Sequence, residues 1–385
     1  MTLWFHLQLL FASFSNLPKA FIEEPLMEKK NLIGKGGSGT VHKVCLNGHD
    51  FAMKSVSVSS IGHIGMPIEV QNELSTLEML KHPNIIKLSS YWEIKYKDAE
   101  GNASPRVMCY NYLLELMDLD SMDYLDLSRY SGSHLEIYQK RESDLRKLYI
   151  DITNAIAYIH SKGVSHLDIK PENILVKTKG GITTFKLADF GLSTTKKRVG
   201  LGGTTLYTPP EMYSLFVEYK LLDYILTTVG PDAIPLNLRK FEFRLKPGDK
   251  VPVSGYFKEI FRNYESMNFD TFRAWLSKEK ENIENRRKTI ELTQFDAVKV
   301  DIFEFGKSLY EFVLNWDGPF QLINGQCFTE EQQIDKSELH LAQPDPNNPK
   351  FEHNNEFQYV VRKMMHCNSD KRPSAIKLLT DEFIF

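Results

Sequence analysis

The spacing of apolar residues predicts a first part of the chain that is rich in strands and contains one helix. Residues 28–58 alternate between apolar and polar positions around a glycine turn, which predicts strands. Residues 67–81 carry apolar side chains three and four positions apart, which predicts a helix, and residues 82–84 (His-Pro-Asn) end it. Strands are predicted again over 85–94 and 107–117, with a polar hairpin loop between them.

Helical spacing dominates the second part of the chain. It appears over residues 142–161, where Gly163 follows the last apolar position, and again near 300–315 and 355–365. The chain shows no internal repeat and no low-complexity tract. This order predicts an α+β fold with two lobes: a β-rich lobe with one main helix up to about residue 117, then a mainly helical lobe.

Composition narrows the class of protein. The chain has 385 residues, 42% of them hydrophobic, which is enough for two lobes with buried cores. A formal net charge of −3 gives no reason to expect nucleic-acid binding, and no apolar run approaches the roughly 18 residues of a membrane span. The four cysteines are scattered without CxxC pairs, which predicts thiols in a reducing compartment and a cytoplasmic protein.

The first 27 residues are predicted to be a flanking segment. Residues 1–15 are apolar and end in small side chains, so the alternative is a signal peptide and a secreted protein. The absence of a basic start, and the interruption of the apolar run by His6 and Gln8, favour a packed or interfacial segment instead.

A glycine-rich turn begins the candidate chemistry. Gly34, Gly36 and Gly39 form a GxGxxG pattern, in which the backbone can approach a phosphate without a clash with Cβ. The pattern alone is a weak signal, for which a glycine-rich hairpin without a ligand is the default interpretation. Lys54 follows at strand spacing, and Glu73 lies on or near the apolar face of the next helix, where an unpaired carboxylate would be costly. We therefore expect Lys54 and Glu73 to form an ion pair.

The most informative residues lie at 166–173 (His-Leu-Asp-Ile-Lys-Pro-Glu-Asn). This loop carries the acid Asp168, the cation Lys170 and the amide Asn173, and Asp189 follows in an Asp-Phe-Gly sequence. An acid can orient a hydroxyl, a cation can steady a moving phosphoryl group, and an amide with a carboxylate can hold a metal ion.

These motifs occur in the order found in protein kinases, and the chain resembles a eukaryotic protein kinase of the Ser/Thr type over about residues 28–211 and 298–385. The resemblance implies transfer of the γ-phosphoryl of ATP to a protein serine or threonine, with Mg²⁺ or Mn²⁺ as the metal. It gives each candidate residue a role. The implied assignments are Gly34, Gly36, Gly39 and Lys54 (held by Glu73) for the phosphates, Asp168 for the acceptor hydroxyl, Lys170 for the γ-phosphate, and Asn173 and Asp189 for the metal.

The resemblance also implies an adenine site and several structural contacts. Val41, Ala52 and Leu175 would enclose the ring, Leu114 would be the gatekeeper, and backbone groups of Glu115 and Met117 would bind the adenine edge. Either Asp120 or Ser121 would meet the ribose. The expected structural contacts are His166 as a buried structural residue anchored by Asp301, Thr204 bonded to the acid and the lysine of the catalytic loop, and an ion pair between Glu211 and Arg372.

Two departures from the family pattern carry predictions. Leu167 stands where the family usually has an arginine that receives an activation-loop phosphate, and the segment from Asp189 to Glu211 is short. An apolar side chain cannot form that charge-assisted bond, so we expect activity that does not require activation-loop phosphorylation.

The second departure is an insertion of about residues 214–296, between Glu211 and Asp301. It is either a family-specific decoration or a docking surface for a substrate or regulator, and its charged stretch 278–288 is expected to be a solvated helix. The main rival to an active kinase is a pseudokinase scaffold. It is disfavoured because no nucleotide, metal or acceptor position is substituted.

Overall fold

The structure, a computed structural model, describes two compact units. The first comprises residues up to Lys81 together with Ile86–Met117, and the second comprises His82–Ile85 together with the residues from Asp118 onward. The residues described are 28–36, 39–58, 66–97, 103–126, 129–227, 255–314, 326–332 and 355–380. The flanking segment predicted for residues 1–27 therefore lies outside them.

The first unit is an antiparallel five-stranded sheet with one helix. The strand order is β1-β2-β3-β5-β4, and helix α1 packs against β4. Their bounds are β1 Glu28–Gly36, β2 Gly39–Leu46, β3 His49–Ser57, α1 Ile68–Met79, β4 Leu88–Lys97 and β5 Ala103–Glu115. One side of the sheet buries Val44, Met53, Trp92 and Leu113. The predicted strands and helix are present, although β4 begins three residues later than expected.

The turn between β1 and β2 depends on Gly39. Its φ is +129°, a conformation that side chains with a Cβ rarely adopt. A Cβ at this position would also lie 2.3 Å from the backbone oxygen of Ser55 on β3. Glycine is therefore required here by the fold of the sheet itself.

The second unit is mainly helical and carries two small sheets. A three-stranded sheet has the order β6-β7-β8, and a two-stranded one pairs β9 with β10. The strands are β6 Leu119–Asp120, β7 Ile174–Lys179, β8 Ile182–Leu187, β9 Arg198–Val199 and β10 Phe295–Asp296. The helices are α2 Ser121–Tyr124, α3 His134–Ser161, α4 Pro210–Thr227, α5 Gly255–Ser266, α6 Phe269–Leu292, α7 Ala297–Leu314, α8 Asn355–Met364 and α9 Ala375–Leu379.

Helix α3 is the central helix of this unit. All five apolar positions that predicted it are fully buried: Leu145, Leu148, Ile152, Ile156 and Ile159. The helix begins eight residues before the predicted start because Ser133 and Glu136 form a capping box, in which each side chain accepts a hydrogen bond from the other's backbone amide.

The expectation of unpaired thiols is wrong for two of the four cysteines. Cys327 and Cys367 form a disulfide, with their Cα atoms 5.0 Å apart. Backbone pairing brings them together, since Phe328 donates its amide to the oxygen of Met365 (3.0 Å) and accepts from the amide of Cys367 (3.0 Å). Cys45 and Cys109 are thiols.

The described part of the insertion is helical apart from its last residues, which include strand β10, and its proline-containing loops lie outside the described residues. The stretch 278–288 is only partly solvated, as Ile283 is fully buried against α4 and α5 residues. Within the described ranges, no helix has both the length and the apolar character needed to cross a membrane.

Candidate active site

A buried carboxylate on α7, that of Asp301, accepts hydrogen bonds from the backbone of the loop that carries Asp168. Asp301 accepts hydrogen bonds from the backbone amide of His166 (2.9 and 3.1 Å) and from that of Leu167 (2.8 Å). Leu167 has a φ of +67°, which is unfavourable for a side chain of this size. The bonds to Asp301 hold this conformation, and the anchoring expected of Asp301 is present.

His166 is fully buried, and both nitrogens of its ring lie within hydrogen-bond distance of backbone groups. Its Nε2 lies 3.0 Å from the oxygen of Ala188, and its Nδ1 accepts from the amide of Asp168 at 3.3 Å. Both contacts are satisfied by the neutral tautomer that carries its proton on Nε2. The arrangement agrees with the structural role expected for His166.

Asp168 lies at the centre of a hydrogen-bonded group. Its Oδ1 accepts from the Thr204 hydroxyl (2.5 Å) and amide (3.1 Å), and its Oδ2 accepts from the Asn173 amide nitrogen (3.0 Å). Lys170 Nζ lies 2.8 Å from both Asp168 Oδ2 and Thr204 Oγ1. The structure thus brings Asp168, Lys170 and Asn173 together, and the bonds expected of Thr204 are present.

Asn173 and Asp189 were assigned to a metal, and the donors present fit a hard cation. The Asn173 Nδ2 donates to both the backbone oxygen (2.8 Å) and a carboxylate oxygen of Asp168, which leaves Oδ1 as the atom for a metal. Ala188, next to Asp189, donates its amide to the backbone oxygen of Asn173 at 2.9 Å. An amide and a carboxylate oxygen suit Mg²⁺, which takes few protein ligands and completes its shell with phosphate and water. Among the described residues, no group of three or more His, Cys, Asp or Glu side chains could hold a metal ion.

Glu304 is a site residue that the sequence reasoning missed. It lies on α7, is 1% exposed, and its Oε2 accepts from the amide of Ile169 at 2.8 Å. Burial, with a further contribution from the Asp301 carboxylate, raises its pKa well above the ordinary value. Glu304 and Asp301 therefore fix amides on either side of Asp168. The signal in the sequence was a carboxylate between two phenylalanines on an apolar helix.

Gly203 contacts the same region at the end of the activation segment. Its φ is +83°, and a Cβ there would lie 3.0 Å from the backbone oxygen of Leu167 and 3.3 Å from Oε1 of Glu304. A side chain at this position would displace the backbone that precedes Thr204. Farther along, Tyr207 donates to Glu311 (2.6 Å), and burial raises the pKa of that carboxyl group.

In the first unit, Lys54 on β3 and Glu73 on α1 form the predicted ion pair. Lys54 Nζ lies 2.8 and 3.0 Å from the two carboxylate oxygens, and the side chains are 7% and 4% exposed. The ammonium group also lies 5.7 Å from the ring centre of Tyr112. The pair holds the amine in one place on the sheet.

Packing does not explain the glycines at positions 34 and 36. Gly34 pairs with Val41 across the sheet, and a Cβ on Gly34 would make only ordinary contact with it at 3.6 Å. A Cβ on Gly36 would meet nothing within 4 Å in the described residues. Neither glycine has a positive φ. The absence of a side chain at both positions leaves space against the backbone, as binding of a phosphate requires.

The adenine-site assignments of the first unit lie on β2, β3 and the end of β5. Ala52 is 8% exposed and pairs with Leu114, the assigned gatekeeper. The amide of Glu115 donates to the oxygen of Lys87 (3.0 Å), so an adenine contact at this residue would use the carbonyl. Met117 is half-buried at the end of the unit.

In the second unit, Leu175 lies half-buried on β7. Ser121 is fully buried and donates its hydroxyl to the oxygen of Pro171 at 2.8 Å. Asp120 caps α2 through the amide of Asp123 (2.9 Å) and is half-buried. Of the two ribose candidates, Asp120 is therefore the more accessible.

Glu211 and Arg372 form the ion pair expected from the sequence. The terminal nitrogens Nη1 and Nη2 of Arg372 donate to the Glu211 carboxylate at 2.8 Å, and Arg372 Nε donates to the backbone oxygen of His366 at 2.9 Å. Arg372 is 1% exposed and lies over the ring of Phe303. This pair fixes the point at which the activation segment ends and α4 begins.

Part of the chain resembles known proteins. It is 34% identical over 163 residues to CBL-interacting serine/threonine-protein kinase 1 of Arabidopsis thaliana (42% of this chain, 32% of that protein). It is 34% identical over 195 residues to CBL-interacting protein kinase 24 of Oryza sativa subsp. japonica (46% and 36%), and 30% identical over 194 residues to serine/threonine-protein kinase PLK4 of Drosophila persimilis (49% and 22%). The chain thus spans about a third or less of the length of these relatives.

The family model for the protein kinase domain matches residues 27–220, half of the chain. The matched region contains the glycine-rich turn, Lys54 with Glu73, the loop around Asp168, and Asp189. The β-sheet unit and the mainly helical unit are those of the two-lobed α+β kinase fold, and the resemblance seen in the motifs is confirmed. The chain belongs to the protein kinase family.

Proposed function

We propose that this protein is a serine/threonine kinase that transfers the γ-phosphoryl group of Mg·ATP to a hydroxyl of a protein substrate. One observation carries the proposal. Asp168 accepts a hydrogen bond from the Thr204 hydroxyl at 2.5 Å, and Lys170 Nζ lies 2.8 Å from the oxygen of that hydroxyl. A carboxylate that accepts from a hydroxyl beside a fixed cation is the arrangement that phosphoryl transfer to an alcohol needs.

The residues of the second unit would carry the transfer. Asp168 would orient the acceptor hydroxyl and accept its proton, and Lys170 would stabilise the charge on the moving phosphoryl group. Asn173 and Asp189 would hold the metal, and Mg²⁺ (or Mn²⁺) would neutralise charge on the phosphate oxygens. Catalysis of this kind depends on positioning, which the bonds from Asp301 and Glu304 to the loop supply.

The residues of the first unit would bind ATP. The amides around Gly34, Gly36 and Gly39 would approach the phosphates, and Lys54, fixed by Glu73, would contact the α- and β-phosphates. Val41 and Ala52, with the backbone of Glu115 and Met117, would bind the adenine. Leu175 of the second unit is assigned to the other face of the ring, and Asp120 is the preferred ribose contact.

We further propose that the kinase does not require phosphorylation of its activation segment. Leu167, Val199 and Leu201 pack against the apolar core of Met212, Phe295 and Val300, so the side chain at position 167 is held by burial and offers a phosphate no charge-assisted bond. A protein partner that docks on the insertion is the alternative to a family-specific decoration. The proposed location is cytoplasmic, with secretion as the alternative, and the Cys327–Cys367 disulfide is of a kind more common in secreted proteins. Fusion of residues 1–15 to a reporter tests the location, because secretion of the reporter would contradict it.

The direct test of the kinase activity is phosphate transfer from Mg·ATP to a degenerate peptide library by bacterially expressed protein, with Asp168→Asn as the matched control. We expect transfer to serine and threonine by the parent protein only. Transfer by the variant would show that Asp168 is not the catalytic acid. Binding of ATP without transfer by the parent would support the scaffold function instead.

A further inference from the structure

The insertion leaves the kinase domain at the activation segment and returns to it. Helix α4 begins at Pro210, at the end of the segment, and α6 leads into β10, which pairs antiparallel with β9 of the segment. In this ladder Phe295 is the partner of Val199, and Asp296 that of Arg198. The amide of Ala297 also donates to the oxygen of Lys197 at 3.1 Å. The activation segment is therefore hydrogen-bonded to the last residues of the insertion.

The helices of the insertion form a packed support for this ladder. Residues from α4, α5 and α6 share one buried core, which contains Leu221, Leu222, Ile260, Phe272, Leu276, Ile283 and Ile290. Two ion pairs join α6 to α4: Arg286 to Glu218 at 2.7 and 3.1 Å, and Arg287 to Asp223 at 2.8 Å. Because α6 is fixed along α4, the position of strand β10, which follows α6, is fixed as well.

A second contact joins the insertion to the catalytic loop. Phe295 is buried with Met212 and Val300, and Leu167, Val199, Leu201 and Leu215 pack against these three. We refer to these seven residues as the Leu167 cluster. It combines the residue next to Asp168, two residues of the activation segment and the strand of the insertion. Every member is apolar, so contact among them depends on burial and needs no charge.

We propose that Phe295 is a positioning residue through which the insertion holds the activation segment in its substrate-accepting arrangement. The Leu167 cluster and the β9–β10 ladder fix residues 198–201, and Thr204, three residues farther on, then meets Asp168. The insertion thus supplies, within the chain, the ordering that a phosphate on the segment would otherwise give. This inference rests on the proposed kinase function.

The kinetic test compares Phe295→Ala with Phe272→Ala in the full chain. Both remove a buried phenyl ring from the insertion, but Phe272 lies in the helical core and is not a member of the Leu167 cluster. With Mg·ATP and a peptide chosen from the library, we expect Phe295→Ala to raise the peptide KM and lower kcat/KM by about tenfold. The Kd for ATP should not change. Phe295→Leu, which keeps an apolar side chain, should restore most of the activity.

The assays are run at a temperature at which thermal melts show all variants to be folded, so that stability alone moves neither value. Equal kinetic losses in Phe295→Ala and Phe272→Ala would overturn the proposal, because the effect would then be general support by the insertion. Unchanged peptide kinetics in Phe295→Ala would also overturn it.

A measurement without catalysis keeps this inference separate from the proposed function. Lys196, Lys197 and Arg198 are exposed on the activation segment and are sites for trypsin. Release of β9 should speed cleavage after these residues by about tenfold in Phe295→Ala and leave it unchanged in Phe272→Ala. If the parent protein transfers no phosphate but this difference is found, the kinase proposal fails and the positioning role of Phe295 stands. If cleavage is equal in all three proteins, Phe295 does not hold the segment.

Discussion

Thr204 donates its hydroxyl to Asp168 at 2.5 Å, and Lys170 lies 2.8 Å from the same hydroxyl oxygen. Through these two bonds, an activation-segment residue is attached to both charged groups of the catalytic loop. A change in the position of Thr204 would therefore alter the surroundings of both Asp168 and Lys170.

Removal of this hydroxyl should slow the reaction. In Thr204→Ala, Asp168 and Lys170 lose a shared partner, and we expect kcat with a peptide substrate to fall by about tenfold or more. Thr204→Ser keeps the hydroxyl and should retain most of the activity. Steady-state kinetics with Mg·ATP make the comparison, and equal activity of the alanine and serine variants would contradict the role assigned to the hydroxyl.

The Lys54–Glu73 pair should behave as a buried ion pair in unfolding experiments. Glu73→Ala leaves the ammonium of Lys54 buried without its carboxylate, and we expect a loss of about 3–5 kcal/mol in the free energy of unfolding. The double variant Lys54→Met with Glu73→Leu removes both charges and should be less destabilised than Glu73→Ala. Urea denaturation measures both. If the double variant is less stable than Glu73→Ala, loss of the ion pair costs more than burial of the unpaired ammonium, and the expectation is wrong.

The raised pKa of Glu304 should make the free energy of unfolding depend on pH. Burial raises the pKa of Glu304 above that in the unfolded chain. The Asp301 and Asp168 carboxylates raise this pKa further, and Lys170 lowers it by less. Between the two pKa values the folded protein keeps a proton that the unfolded chain has lost, so stability falls as pH rises through that window. Glu304→Gln stays neutral and can still accept from the Ile169 amide. We expect it to lose less stability than the parent from about pH 5 to about pH 8.

Thermal melts across this range provide the measurement for Glu304. The difference between the parent and Glu304→Gln should grow with pH, in favour of the variant. A constant difference would show that Glu304 does not titrate with a raised pKa. A difference that shrinks as pH rises would show that the pKa of Glu304 is lowered by folding, the opposite of the expected shift.

The disulfide should stabilise the second unit. Cys327 and Cys367 are 40 positions apart in the chain, and closing a loop of this length is worth about 4 kcal/mol in the chain-entropy description. Replacement of both cysteines by serine should lower the free energy of unfolding by up to that amount. Addition of dithiothreitol should do the same to the parent and nothing to the double variant. A response of the variant to dithiothreitol would show that another reducible group is involved.

Short motifs made much of the site predictable from the sequence. Asp168, Lys170 and Asn173 share one loop of eight residues, so their proximity follows from chain connectivity. Lys54 and Glu73 were paired because a carboxylate near an apolar helix face needs a partner. The helices with long apolar periodicity were likewise predicted, and only their ends differ. The first residue of α3 is fixed by the capping box of Ser133 and Glu136, whose S-x-x-E pattern is visible in the sequence.

Other features depend on contacts between distant parts of the chain. The two-residue strands β9 and β10 are too short to show any periodicity, so the pairing of Phe295 with Val199 left no signal. Cysteine connectivity cannot be deduced from spacing, and Cys327 meets Cys367 only because of the backbone pairing at Phe328. Glu304 is a single carboxylate between two phenylalanines in the sequence, and only the fold brings it to the amide of Ile169.

The measurement that tests the account most directly is the initial rate of phosphate transfer from Mg·ATP to a serine or threonine peptide, before and after treatment of the protein with phosphatase. Asp168→Asn is the blank, and mass spectrometry verifies that no phosphate remains on residues 189–211. We predict equal rates before and after treatment, well above the blank, because the segment is held by the Leu167 cluster and the β9–β10 ladder. Loss of the rate after phosphatase treatment, or a rate no higher than that of the Asp168→Asn variant, would contradict the account.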